Sequence, residues 1–140
     1  VKYLVDANVL SEPTRQEPVE SAVEWLVRHE GEICVNPIIL GELEFGVLRL
    51  PAGKRREKLL SWFRAGKEKL PLLKMDAETA RHWANLLAKL QHEGRAMPIK
   101  DSLIAATALQ HNLTIGTRNT RDFQYAGVRL ENPFSDEPRP

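Results

Sequence analysis

Four acidic residues far apart in the chain, Asp6, Glu42, Asp101 and Asp122, each stand where an apolar run ends or a helix begins. In an α/β fold with parallel strands such junctions gather on one edge of the sheet, so the four carboxylates are expected to share one pocket. Carboxylates brought together repel. At about 4 Å a pair costs about 1 kcal/mol in water and about 4 kcal/mol at an effective dielectric of about 20. Relief comes from taking up protons or from a cation. Hard divalent ions such as Mg²⁺ or Mn²⁺ accept oxygen ligands, and one or two of them can activate water and stabilise an in-line displacement at phosphorus. The chemistry suggested is metal-assisted phosphodiester cleavage. Taken singly, each acid also has an ordinary structural reading: Asp6 and Asp101 as helix caps, Glu42 as a solvated helix residue.

Other chemistries find little support. His29, His82, His92 and His111 fit no H-E-x-x-H pattern, and one cysteine cannot build a Cys-rich zinc site. No G-x-S-x-G elbow and no glycine-rich phosphate loop is present. Cys34, between Ile33 and Val35, reads as a small buried hydrophobe, and a lone thiol fits the cytosol. The formal charge of +1 advertises no strong affinity for nucleic acid. Basic residues cluster locally at Lys54, Arg55, Arg56 and Lys58, then Arg64, Lys67 and Lys69, as a solvated helix face or as a surface for phosphates or a partner. Hydrophobic content of 42% and charged content of 28% are those of a soluble globular chain. No apolar run approaches the roughly 20 residues of a membrane helix, and Asp6 interrupts Tyr3-Leu4-Val5 too early for a signal peptide. A cytoplasmic protein without membrane contact is expected.

The elements that must position the acids follow from periodicity and caps. Residues 2–6 form a short apolar strand ending in Asp6, and residues 8–13 a brief helical turn. Val19, Ala22, Val23, Leu26 and Val27 fall at helical spacing, and residues 32–35 form a second strand. Asn36-Pro37 is a cap followed by a first-position proline. The helix it opens carries Ile39, Leu43, Val47 and Leu50 on one face and Glu42 in its second turn. A basic helix spans about 54–70, and residues 71–74 form a minimal strand. Asp76 caps a helix whose inner stripe reads Ala80, Trp83, Ala84, Leu87 and Leu90, ended by Gly94. Asp101 opens an Ala-rich helix to about residue 112, followed by a strand at 113–116, a turn and short helix at 117–123, and a strand at 128–130. Residues 132–140 form an extended tail with three prolines. Strands alternating with helices predict one domain over residues 1–140, a three-layer α/β sandwich with a mostly parallel, roughly five-stranded sheet.

The motifs Val5-Asp6-Ala7-Asn8-Val9-Leu10-Ser11-Glu12-Pro13, Gly41-Glu42-Leu43-Glu44-Phe45-Gly46-Val47, Asp101-Ser102-Leu103-Ile104-Ala105-Ala106-Thr107-Ala108 and Thr117-Arg118-Asn119-Thr120-Arg121-Asp122-Phe123 occur in that order. Together they resemble a PIN domain, and within it a VapC-type toxin of bacterial toxin–antitoxin pairs, near the FitB-like branch. The resemblance covers nearly the whole chain. It implies a Mg²⁺- or Mn²⁺-dependent endoribonuclease that uses metal-activated water and leaves a 5′-phosphate. It also implies a homodimer neutralised by a small VapB-like antitoxin, which itself reaches operator DNA. Carried over, Asp6, Glu42 and Asp101 are the core metal ligands, Asn8 holds the Asp6 loop by hydrogen bonding, and Thr117 lines the pocket. Many relatives have an acid where this chain has Asn119; others have Asn there and an acid three residues later, and this chain follows the second pattern. Asn119 would then orient water while Asp122 holds a second ion, directly or through water. Arg118 and Arg121 flank this motif and could meet RNA phosphates or form surface ion pairs. Phe45 and Leu48, off the main apolar face of their helix, hint at a dimer surface.

Two other readings compete. Lys100-Asp101 mimics a pair found in phosphatases of the haloacid-dehalogenase type, but their Asp-x-Asp motif would fall on Asp6-Ala7-Asn8, and an amide cannot serve as the general acid. A catalytically silent PIN-like module that binds RNA or protein would have no use for the repulsion among three retained acids.

Overall fold

The computed structural model describes residues 1–134. Four short strands, β1 (Tyr3–Val5), β2 (Ile33–Cys34), β3 (Thr114–Gly116) and β4 (Arg129–Glu131), form one sheet in the order β2-β1-β3-β4. Every pairing is parallel, with Leu4 opposite Cys34 on one side and Ile115 on the other, and Ile115 opposite Leu130. β1 is central and wholly buried, as an uninterrupted apolar strand covered on both faces should be.

Seven α-helices flank the sheet among the described residues: α1 (Ala7–Leu10), α2 (Glu20–Arg28), α3 (Pro37–Leu48), α4 (Lys54–Lys67), α5 (Ala77–His92), α6 (Ile99–His111) and α7 (Thr120–Phe123). The caps read from the sequence operate. Asn36 Oδ1 accepts from the Ile39 amide at 2.9 Å with Pro37 in the first helical position, and Asp76 with Thr79 closes a capping box on α5. Asn112 ends α6 in the left-handed conformation at φ 55°.

Three expectations shift. The minimal strand at 71–74 reduces to one bridge, Val35 to Leu72, at the β2 edge, so the sheet has four strands rather than about five. Pro71 has no amide to donate, which shortens the ladder there. On α5 the buried residues are Thr79, Leu86 and Leu90, whereas Ala80 and Ala84 are exposed. The helix is rotated because Thr79, satisfied by Asp76 and by Gln110 at 2.6 Å, takes an inward position that an apolar count assigns to alanine. On α2 the core is filled by Ala22 and Trp25 while Val27 is exposed. Trp25 lies over Gly116, where a β-carbon would come within 3.0 Å of the indole, and donates to Glu131 Oε1 at 3.0 Å. Of the tail, Asn132 to Phe134 form a turn with Phe134 against the core, and residues 135–140 lie outside the described residues.

Two polar ties set the helices that carry acids. Buried Asn36 donates to Thr107 Oγ1 at 3.0 Å, fixing α3 against α6. The Trp83 indole donates to Ser102 Oγ at 2.9 Å, and Ser102 donates to Ile99 O, pinning the first turn of α6 to α5. Asn36→Ala removes a cap and a buried cross-helix hydrogen bond, and is expected to cost about 2 kcal/mol, read as a lower denaturation midpoint in urea at unchanged slope.

Candidate active site

The chain leaves β1 toward β2 on one side and later enters β3 on the other, so the β1 and β3 ends flank a switch point where connections diverge. Open parallel sheets bind ligands there. Asp6 follows β1 and Thr117 follows β3, and both are buried. Asp6 caps α1 by accepting from the Ala7 amide at 2.8 Å, and its other oxygen accepts from the Thr117 hydroxyl at 2.8 Å and from Asn8 Nδ2 at 3.4 Å. Asn8 Oδ1 accepts from the Arg118 amide at 3.2 Å, and Thr117 Oγ1 accepts from the Asn119 amide at 3.0 Å. Asn8 and Thr117 thus join the loops after β1 and β3 and fix the Asp6 rotamer.

Glu42 enters from the second turn of α3 and Asp101 from the first turn of α6. Burial is the main cause that raises the carboxyl pKa of Asp6, Glu42 and Asp101 above their ordinary values. For Asp101 the charge of Asp6 comes next, with Asp122 and Glu42 adding to it, and the carboxyl is pushed up to about 6. Asp6 is raised further by Asp122, and Glu42 by Asp6. The charges of Asp6, Asp122 and Glu42 thus all reach Asp101, and of the four predicted acids three are recessed while Asp122 is exposed on α7. Asn119, also exposed, occupies the cap position of α7 without a side-chain capping bond.

Lys100 is the residue that sequence reasoning left out of the site. Its ammonium meets Glu42 Oε2 at 2.8 Å and lowers the carboxyl pKa of Glu42, Asp6 and Asp101. A signal was present: a lysine in the first turn of a helix faces the positive end of its dipole and is unfavourable there without an anionic partner. Arg118 forms no ion pair among the described residues; its guanidinium stacks on Phe134 at 4.4 Å. Arg121 is exposed and likewise unpaired among the described residues.

The donor set suits a hard cation. Its groups are carboxylate oxygens, and Glu42 Oε1 is buried with no hydrogen-bond partner among the described residues. No three carboxylate, imidazole or thiol groups among the described residues converge into a ready-made ligand shell. Mg²⁺ does not require such a shell, since one or two carboxylates can bind it directly and others through the waters it keeps.

A parallel sheet with recessed acids at its switch point defines an α/β protein with a candidate ligand site at the sheet edge, and comparison with known proteins narrows the class. The PIN domain family model matches residues 3–128. The chain is 37% identical over 139 residues to toxin FitB of Neisseria gonorrhoeae, covering 95% of this chain and 99% of that protein. It is 34% identical over 137 residues to a VapC ribonuclease of Sinorhizobium fredii, covering 94% of this chain and 96% of that protein. Among solved structures it superposes on FitAB bound to a DNA fragment with a TM-score of 0.90, 31% identity and coverage of 97% of this chain and 98% of that one. The chain belongs to the PIN domain family.

The raised Asp101 pKa means that the folded state binds this proton more tightly than the unfolded state does. Its contribution is largest below the unfolded value near 3.8 and is lost as pH rises through about 6. Metal-free protein should therefore lose stability between those limits. At pH 7 Asp101→Asn should be the more stable by on the order of 1 kcal/mol, about 4 °C in a thermal melt.

Proposed function

We propose that this chain is a VapC-type endoribonuclease toxin of a toxin–antitoxin pair, dependent on one or two Mg²⁺ or Mn²⁺ ions. The observation that carries the proposal is the group of raised carboxyls, Asp6, Glu42 and Asp101, in which the charge of Asp6 acts on both of the others, with a buried, unpartnered oxygen on Glu42. Asp6, Glu42 and Asp101 would hold the first ion, and Asp122 with Asn119 the second. A bound ion would supply the positive charge that activates water and stabilises the pentavalent phosphorus of an in-line displacement. The protein's share is positional. Asn8 and Thr117 hold Asp6 in one rotamer, while the Asn36–Thr107 tie sets α3 and its Glu42 against α6 and its Asp101. Lys100, beside Glu42, would meet a phosphate drawn to the site, as would Arg118, whose amide is tied to Asn8, and Arg121.

The relatives' names support the same reading, since they include a VapC ribonuclease and a toxin. The neighbouring FitAB structure, which carries DNA, supports a small antitoxin partner through which operator DNA would be reached. Homodimerisation is part of the proposal, with Phe45 at 66% and Leu48 at 44% exposure on α3 as surface for a second copy. No helix among the described residues is long and apolar enough to cross a membrane.

Incubating antitoxin-free protein with a pool of structured RNA, with Mg²⁺ or Mn²⁺ and with EDTA, tests the proposal. Cleavage should require metal and fall at least about 100-fold in Asp6→Asn and Asp101→Asn, while Asp122→Asn should lose about tenfold and recover in excess Mn²⁺. Wild-type rates in Asp101→Asn would remove that residue from the mechanism. One observation favours the silent binding module instead: an ammonium already neutralises Glu42. Calorimetric titration separates the two readings. In a nuclease, Lys100→Met should bind Mn²⁺ several-fold more tightly, by about 1 kcal/mol, because a competing cation is gone. Absence of binding in both proteins would favour the module.

A further inference from the structure

Arg118 and Phe134 come from different loops and meet beside the carboxylate site. The Arg118 amide donates to Asn8 Oδ1 at 3.2 Å, and Asn8 Nδ2 reaches the Asp6 carboxylate at 3.4 Å. The backbone of Arg118 is therefore two hydrogen bonds away from Asp6. One residue earlier, the Thr117 amide donates to Glu131 O at 3.0 Å, which carries the β3–β4 pairing up to the site. Past β4 the chain turns, with the Phe134 amide donating to Asn132 Oδ1 at 2.9 Å, and the Phe134 side chain packs partly buried against the core. The exposed Arg118 guanidinium lies over that ring at 4.4 Å. Both partners are thus held through their own backbones.

A cation anchored this close to acids is ordinarily drawn to them. Here Lys100, rather than Arg118, is the cation that chiefly lowers the carboxyl pKa of Asp6, Glu42 and Asp101. Contact with the ring holds the Arg118 charge apart from the acids. A guanidinium that rests its face on a ring keeps its N–H donors in the plane, as a fork that fits a phosphate. We propose that Phe134 is a positioning residue, whose ring holds the Arg118 guanidinium ready for the RNA phosphate next to the scissile one. The proposal rests on the ribonuclease reading above and names a contact of its substrate. A free arginine loses rotamer freedom when it meets a phosphate, whereas stacking on Phe134 removes much of that freedom beforehand. Arg121, exposed on α7, lies over no ring among the described residues and has no such preparation.

The test measures filter binding of an end-labelled pool of structured RNA to Asp101→Asn protein across a salt series, and cleavage by the same variants with Asp101 intact. Arg118→Gln should weaken binding about tenfold and reduce the slope of log affinity against log salt by about 0.7, the share of one phosphate contact. Phe134→Leu keeps an apolar side chain without a π face. It should weaken binding about threefold at unchanged slope, and Phe134→Tyr should restore it. In an Arg118→Gln background Phe134→Leu should add nothing, because the ring acts through the guanidinium. In cleavage the losses should fall on KM, with kcat within about twofold of wild type. Arg28→Gln, on exposed α2 surface, should leave binding and cleavage unchanged. Should Phe134→Leu melt early, Arg118→Lys carries the test: lysine keeps the charge without the planar fork and should also lose about threefold. Wild-type affinity in Arg118→Gln overturns the proposal, as does an equal Phe134→Leu loss in both backgrounds. If these variants bind and cut like wild type, the positioning role fails and the nuclease reading stands. If binding falls as expected but wild type shows no metal-dependent cleavage, the positioning role stands and the nuclease reading fails. No RNA binding at all overturns both.

Discussion

Repulsion among carboxylates at one edge of a parallel sheet is the constraint on which the rest of this structure depends. Asp6 follows β1 and Glu42 and Asp101 lie on α3 and α6, and burial, together with the charge of a neighbouring acid, raises the carboxyl pKa of all three. A fold relaxing freely would turn such groups outward, where water screens them. Here each is prevented. Asp6 is held by three donors, and Glu42 and Asp101 sit on helices tied together by the buried Asn36–Thr107 bond. The surrounding hydrogen bonds therefore hold in place an arrangement that is unfavourable by itself, which is the expected economy of a site whose charge balance a ligand completes.

The rigid parts of this arrangement are the parts that the sequence spells locally. The Asn36-Pro37 start of α3, the Asp76 box of α5 and the apolar run of β1 are short-range signals, and the structure places them as read. Parallel strands follow from helices between them, which puts the strand ends on one edge without further information. Hence the acids could be gathered from sequence order alone. Helix rotation was less legible, because it depends on partners distant in sequence: Thr79 faces inward only because Gln110 satisfies it, and Trp25 only because Gly116 leaves room.

Lys100 was hidden for a related reason. Adjacent helical residues point about 100° apart, so standing next to Asp101 said nothing about which group its ammonium would meet. The partner, Glu42, is on another helix. Likewise the basic residues of α4 read equally as a solvated face or as a surface for phosphates or a partner, and only the fold lays Arg55 and Lys58 beside Arg15 from the loop after α1. Charge along a sequence is visible at once, whereas a shared surface is a property of how elements face one another.

Whether these acids form one site is read most directly from the side-chain carboxyl ¹³C shift of Asp101 against pH, with and without Mg²⁺. Without metal the midpoint should lie near 6, well above that of an ordinary aspartate. With saturating Mg²⁺ it should fall below the usual carboxylate range, because a nearby dication favours the charged form. A midpoint near 4 without metal, or one that Mg²⁺ leaves unmoved, would contradict a single carboxylate site completed by a cation.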